Sequence, residues 1–158
     1  SNSTTKKPDV SCLRVYDNPL LVADTGHAQQ ASLTVVEIKK PMRTGYKPLE
    51  SEEKDPILQA LNYLKRLREG AQTKNGRSIP NADQIPGFVY VLADLTNHLI
   101  ECCDLWQLQK TADGMGYFGY HPNTKYNAYI QVISFDGLLA SAKERNRAFF
   151  DTLSLPSK

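Results

Sequence analysis

The strongest constraint on the fold of this chain is a short charged strand at residues 34–41. Its β-branched residues predict a β-strand, in which residues i and i+2 share one face at a spacing of about 7 Å. Glu37 and Lys39 therefore point the same way. If that face is buried, the two charges cost several kcal/mol unless a divalent metal and a phosphate compensate them. The alternative is an edge strand with a solvated charged face.

Composition limits the class of protein. A chain of 158 residues with 41% hydrophobic residues can bury the core of one domain, and a net charge of +2 argues neither for nor against nucleic acid. Three cysteines, with Cys102 and Cys103 adjacent, and three scattered histidines predict neither a disulfide framework nor a zinc site. No apolar run reaches the roughly 18 residues of a membrane helix. We expect a cytoplasmic protein that does not insert into a membrane.

The sequence predicts one domain at residues 8–154. Residues 1–7 are polar, and we interpret them as a tag remnant and a disordered N-terminus. A strand-like segment follows within a few residues, so we expect the domain to be excised from a longer chain.

Hydrophobic patterns predict an α/β domain with a mixed central sheet flanked by helices. The segment 88–93 is continuously apolar, which is typical of a strand buried on both faces. Asp55-Pro56 is a helix start, with a side-chain cap followed by proline. Strands are predicted at 9–16, 33–39 and 88–93, and helices at 56–69 and 95–108.

The predicted helix 56–69 has two faces. An apolar stripe of isoleucine, alanine and leucines should pack on the sheet, while Gln59, Tyr63 and Arg66 fall on the opposite face. Gln59 and Tyr63 lie one turn apart and are available for a functional role, although they also fit a plain solvent-facing surface. In the next helix, His98 is expected to be structural.

An additional hairpin and helix are predicted at the C-terminus. The hairpin strands are 114–120 and 127–133, and a helix capped by Ser134 runs to about Leu153. Asn146 falls on the apolar stripe of that helix, so it should either have a buried partner or mark an interface. The stripe consists of Phe135, Leu138, Leu139, Ala142, Phe149, Phe150 and Leu153.

The order of these parts resembles the PD-(D/E)XK nuclease superfamily. Pro8-Asp9 stands where that family has its first motif, Glu37-Ile38-Lys39 is similar to the second, and Gln59 with Tyr63 matches an accessory motif. The resemblance implies a restriction-endonuclease-like fold. The later segments 93–96, 116–120 and 134–147 resemble a bacterial branch in which this domain ends a chain that can begin with a histidine-kinase-like ATPase domain.

The resemblance also implies an activity, metal-dependent hydrolysis of phosphodiester bonds in nucleic acid, with DNA favoured. Asp9, Glu37 and the carbonyl of Ile38 would hold Mg²⁺ or Mn²⁺ in an all-oxygen site. Lys39 would hold the attacking water and offset negative charge, and we expect its truncation to leave the fold intact because it lies near a strand end. Gln59 and Tyr63 would steady the water or a phosphate oxygen. Backbone phosphates would be contacted by Lys40, Arg43, Arg66 and Arg68.

Several alternatives stay open. Asp24 is closer in sequence to Glu37 than Asp9 is, but Asp9 begins its strand directly after proline, as the family's motif does. The first helix of the family core would lie before residue 1. The domain could also be a catalytically silent nucleic-acid-binding or regulatory module. A third reading is an interaction module for an upstream ATPase, or a homodimer, that uses the hairpin and the last helix.

Overall fold

A computed structural model of the chain describes residues 9–16, 30–70, 82–121 and 126–153. Within these ranges the protein is an α/β domain with one six-stranded mixed sheet and three α-helices, as the sequence predicts at this level. A single 3₁₀ turn at Ala82–Gln84 precedes the third strand. The elements are β1 (Val10–Tyr16), β2 (Gln30–Ile38), α1 (Pro56–Glu69), β3 (Gly87–Leu92), α2 (Asn97–Leu105), β4 (Gln109–Lys110), β5 (Gly116–His121), β6 (Ala128–Ile133) and α3 (Phe135–Thr152).

The strand order β1-β2-β3-β6-β5-β4 places three parallel strands in the middle of the sheet. Strands β2, β3 and β6 run parallel, whereas β1 is antiparallel to β2, and β5 is antiparallel to β6 and β4. Parallel neighbours need a crossover, which α1 provides between β2 and β3. The carboxyl ends of β2, β3 and β6 therefore meet at one edge of the sheet. The predicted C-terminal hairpin is confirmed as β5–β6.

Strand β2 lies inside the sheet, between β1 and β3. Leu33, Val35 and Glu37 alternate on its buried face, and Lys39 continues that face beyond the strand end. Glu37 is only 5% exposed and Lys39 only 6%, whereas Ile38 between them is 46% exposed. The alternative of an edge strand with a solvated charged face is therefore wrong.

Helix α1 has the bounds that its sequence signals predict. Asp55 caps it by accepting hydrogen bonds from Ile57 N at 2.9 Å and Leu58 N at 3.0 Å. The buried Asp55 carboxylate also accepts from Leu49 N and from Trp106 Nε1, both at 3.0 Å. One side chain thus fixes the start of α1, the preceding loop and the end of α2.

Helix α2 is shorter than the predicted 95–108. It begins after a Thr96 cap and ends at Leu105, because Gln107 adopts a positive φ of 54° that a helix does not continue through. His98, on the first turn, accepts a hydrogen bond from Gly45 N at 3.1 Å, which fits the structural role expected of it. None of the helices in the described ranges is long and apolar enough to cross a membrane.

Arg68, near the end of α1, is part of the core and not of a surface. It is 6% exposed and donates hydrogen bonds to the carbonyls of Ile85, Tyr126 and Asn127, which precede β3 and β6. Gly87 makes room for it, since a Cβ there would lie 2.8 Å from Nη2 of Arg68. Arg68 therefore joins the amino ends of two parallel strands to α1. The expected contact of Arg68 with a nucleic-acid backbone has no geometric basis, because its guanidinium is buried and donates to backbone carbonyls.

We expect Arg68→Met to lower the free energy of unfolding by about 2–4 kcal/mol, because it removes the guanidinium hydrogen bonds to the carbonyls that precede β3 and β6. Urea unfolding followed by circular dichroism measures this change. The matched control is Lys65→Met on the same helix, whose exposed pair with Glu69 should contribute less than about 1 kcal/mol. Equal effects of the two substitutions would contradict this role of Arg68.

Candidate active site

The site lies at the carboxyl end of β2, where β1 begins. The antiparallel register pairs Val10 with Val36, so Asp9 is brought beside the end of β2. Its Oδ2 accepts a hydrogen bond from Ile38 N at 2.6 Å. The antiparallel register explains this placement, because the residue directly before β1 comes to lie beside the last residues of β2. Asp24, the rival acidic residue, lies outside the described residues.

Lys39 lies at the centre of a row of polar side chains. Its Nζ is 2.5 Å from Oε1 of Glu37 and donates to Oε1 of Gln59 at 2.7 Å. Nε2 of Gln59 donates in turn to the hydroxyl of Tyr63 at 2.9 Å. The prediction that Gln59 faces the Glu37–Lys39 pair is confirmed, whereas Tyr63 is linked to that pair through Gln59 and does not line the pocket. Tyr63 itself is buried, so the second face of α1 is not a plain solvent-facing surface.

Burial governs the electrostatics of Glu37. Desolvation raises the pKa of its carboxyl above the ordinary value, and the negative charge of Asp9 adds to this, whereas the hydrogen bond and the charge of Lys39 oppose it. The second oxygen, Oε2, is buried and has no hydrogen-bond partner among the described residues. An unpartnered buried carboxylate oxygen is costly, which makes it a ready ligand for a cation.

Asp9, Glu37, Ile38, Lys39, Lys40, Arg43, Glu53 and Gln59 line an open pocket of about 420 Å³. Lys40 and Arg43 are exposed at its rim. The loop that carries Arg43 is held by hydrogen bonds from Met42 N to Asp94 Oδ2 at 2.5 Å and from Gly45 N to His98. The pocket thus contains the buried carboxylate of Glu37 and has exposed cations at its rim.

The two other cations expected at the site lie elsewhere. Arg66 adjoins the site through Tyr63, with its guanidinium 4.8 Å from the ring centroid, and it also pairs with Glu52 at 3.1 Å. Arg68 is nine residues beyond Gln59, about 13 Å along the helix axis. It therefore lies toward the opposite edge of the sheet from the pocket.

The donor set suits a hard divalent cation. The carboxylates of Asp9 and Glu37 line the same pocket, and Oε2 of Glu37 has no hydrogen-bond partner within the described part of the chain. The described residues hold no group of three or more His, Cys, Asp or Glu side chains that could bind a metal. Two carboxylates are nonetheless a common number for Mg²⁺, which keeps several of its waters. The residues present therefore fit Mg²⁺ or Mn²⁺.

Sequence reasoning missed two residues of this region. Glu53 lines the pocket from the loop before α1. Tyr46 is 2% exposed, and its hydroxyl has no hydrogen-bond partner among the described residues, while the Arg43 guanidinium lies 5.7 Å from its ring centroid. Both residues belong to a loop without periodicity, so no pattern marks them.

Comparisons of the chain with protein-family models, with curated proteins and with solved structures return no match.

Burial corrects the expectation that Lys39 can be truncated without effect on the fold. Its ammonium and the Glu37 carboxylate are both 6% exposed. Removal of one partner of a buried pair leaves an uncompensated charge, which costs about 3–5 kcal/mol. Substitutions at Lys39 therefore need a stability measurement beside any functional one.

We expect Asp9→Asn to abolish stabilisation of the protein by Mg²⁺ while the unfolding temperature without metal stays nearly unchanged. Asp9 is exposed, and the amide oxygen of asparagine can still accept from Ile38 N. A ligand that binds only the folded state raises its stability, so thermal unfolding with and without Mg²⁺ measures the site. Asp24→Asn is the matched comparison. Loss of the metal effect in Asp24→Asn alone would assign the first ligand to Asp24.

The stabilisation by Mg²⁺ should grow as the pH rises. Because the pKa of Glu37 is raised in the folded state, its contribution to stability without metal is complete below the ordinary pKa and is lost as the pH rises through the folded-state pKa. Mg²⁺ binds the ionised form and offsets that loss. Thermal unfolding from about pH 5 to 8 tests this.

Glu37→Gln should remove this pH dependence, whereas Glu50→Gln, at an exposed pair with Lys47, should keep it. A metal effect that does not vary with pH in the parent protein would count against Glu37 as a ligand.

Proposed function

We propose that the domain hydrolyses phosphodiester bonds in nucleic acid with the help of Mg²⁺ or Mn²⁺, with DNA as the favoured substrate. The observation that carries this proposal is the position of Lys39, held between Glu37 and Gln59 beside Asp9 at the end of β2. The same arrangement supports the resemblance to PD-(D/E)XK nucleases and to their restriction-endonuclease-like fold. The mixed sheet and its crossover helix are compatible with that fold.

Asp9 and Glu37 are the residues that would hold the metal. When bound there, Mg²⁺ makes a water more acidic and neutralises charge on the phosphate. Both carboxylates must be ionised for this, and Lys39 favours the ionised form of Glu37. Oε2 of Glu37, for which the described residues offer no hydrogen-bond partner, would be available to bind the metal.

Lys39 stabilises the charge that develops when water attacks phosphorus. As the new P–O bond forms and the bond to the leaving oxygen breaks, negative charge grows on the phosphate oxygens, and an ammonium in a partly dry pocket offsets it. Gln59 orients that ammonium through its carbonyl oxygen, and Tyr63 fixes which end of the Gln59 amide faces Lys39. Gln59 and Tyr63 therefore act as positioning residues for Lys39.

Cations at the entrance bind the rest of the polymer. Lys40 and Arg43 line the exposed rim of the pocket, where they would contact phosphates next to the reacting one, and Arg66 adjoins the site through Tyr63. Such contacts are electrostatic and independent of base sequence, so affinity should fall steeply with salt. The near-neutral net charge of the chain makes this local cluster the main electrostatic attraction for the substrate.

The test compares two adjacent lysines. With Mg²⁺ and with Mn²⁺, on labelled DNA and on RNA, Lys39→Gln should lower the turnover number by about 10²–10³. Lys40→Gln, on the exposed side of the rim, should leave turnover within about threefold and weaken substrate binding. Calcium, which is larger and more loosely coordinated, should bind with little turnover.

Asp9→Asn is the control for misfolding, because Asp9 is exposed and its substitution leaves the buried pair of Glu37 and Lys39 unchanged. It should lose activity at an unchanged unfolding temperature. If both Asp9→Asn and a folded Lys39→Gln cleave like the parent, the hydrolytic mechanism is wrong. If no form of the protein cleaves but Lys40→Gln and Arg43→Gln weaken binding of DNA, the domain is a nucleic-acid-binding module.

A further inference from the structure

The hydrogen bonds that join helix α3 to other described parts of the domain lie at its start. Ser134 donates to the carbonyl of Met115 through Oγ at 2.7 Å and through its backbone N at 3.1 Å, and its Oγ accepts from Gly137 N at 2.9 Å. Of the residues of α3, all of which the structure describes, Gly137 alone is buried. A Cβ at Gly137 would lie 2.9 Å from Cβ of Met115, so this close contact needs glycine.

The apolar face of α3 points away from that contact. Gly137 lies two residues after Phe135, about 200° around the helix, so it faces nearly opposite to the apolar stripe. Phe135, at the start of the stripe, is half-buried, but the other five large side chains of the stripe are exposed. They are Leu138 at 40%, Leu139 at 54%, Phe149 at 61%, Phe150 at 37% and Leu153 at 49%.

The spacing of the stripe is that of a coiled-coil seam. Its central positions follow one another at intervals of 4, 3, 4, 3 and 4 residues, which is an unbroken a/d heptad pattern. Asn146 occupies an a position near the middle of the seam and is exposed. The alternative that Asn146 has a buried partner within its own domain is therefore wrong. The seam consists of Phe135, Leu139, Ala142, Asn146, Phe149 and Leu153.

We propose that α3 pairs with α3 of a second copy of this chain as a parallel, in-register, two-stranded coiled coil. A polar residue in an apolar seam is costly unless it forms a hydrogen bond with a polar residue of the other helix. With the whole seam paired, only the parallel arrangement places Asn146 opposite Asn146 of the second copy. An antiparallel pair of full overlap would set Asn146 beside the apolar Ala142 of the other copy. A single asparagine at an a position is also the device that favours two strands over three or four.

The size of the face sets the expected strength of the dimer. With roughly 200 Å² for each fully exposed large apolar side chain, the exposed fractions amount to about 500 Å² per copy. Two copies would bury about 1,000 Å², the lower end of specific interfaces. We therefore expect a reversible dimer with a dissociation constant of about 1–100 µM.

The charges of α3 permit the pairing of identical helices. The helix carries three acidic residues and three basic residues, so two copies do not repel each other through net charge. One ion pair, Arg147 with Glu144 at 2.8 Å, lies on the side away from the seam. Loss of this pair would leave the interface unchanged.

The experiment is sedimentation equilibrium of the 158-residue chain over about 1 µM to 1 mM. The parent should pass from monomer to dimer in this range. Phe149→Glu, on the seam, should remain a monomer, whereas its neighbour variant Ala148→Glu, on the far side of the helix, should dimerise like the parent. Both positions are exposed, so circular dichroism and thermal unfolding should match the parent in each case.

Asn146→Leu tests the role of the polar residue. It should tighten association at least tenfold or admit trimers and tetramers, because the seam then lacks its specifying asparagine. A parent chain that stays monomeric at 1 mM would overturn the proposal and indicate that another partner covers α3. Dimerisation that persists in Phe149→Glu, or an assembly unchanged by Asn146→Leu, would overturn it as well.

Discussion

The buried pair of Glu37 and Lys39 is the interaction on which the functional end of the sheet depends. Two charges that are each about 5% exposed remain in the core only because they satisfy each other and because Gln59 accepts a further bond from the ammonium. A buried ion pair contributes little net stability compared with apolar residues of similar volume. Its retention on a strand that otherwise packs Leu33 and Val35 is therefore more easily explained by chemistry than by stability.

Different kinds of contact are made at the two ends of the parallel strands. At the amino ends of β3 and β6, Arg68 joins strands and helix through backbone carbonyls. At the carboxyl end of β2, acidic and basic side chains meet, and one carboxylate oxygen has no partner among the residues that the structure describes. Helix α1 spans both ends, because it carries Gln59, which contacts Lys39, and Arg68 about 13 Å further along its axis.

Local signals in the sequence predicted most of the fold and the centre of the site. The cap and proline at Asp55-Pro56 determined the start of α1, and the i and i+2 relation placed Glu37 beside Lys39. Contacts made by distant loops were not predictable. Arg68 lies eleven residues after Ile57, close to three full turns, so its place on the buried stripe could have been read from the helix period. The carbonyls that accept hydrogen bonds from its guanidinium come from two remote segments that no local pattern identifies. No local pattern predicts the burial of Tyr46 either.

Asp9 is the residue of the candidate site that a local opening of the fold can remove. Asp9 reaches the pocket from the first residues of β1, and its described link to the rest of the site is the bond from Ile38 N. Strand ends open more readily than the core, with free energies far below that of global unfolding. Fraying at the start of β1 would withdraw one carboxylate while Glu37, Lys39 and Gln59 remain in place. Under the proposed function, a local and reversible opening at the start of β1 would remove one metal-binding carboxylate without global unfolding of the domain.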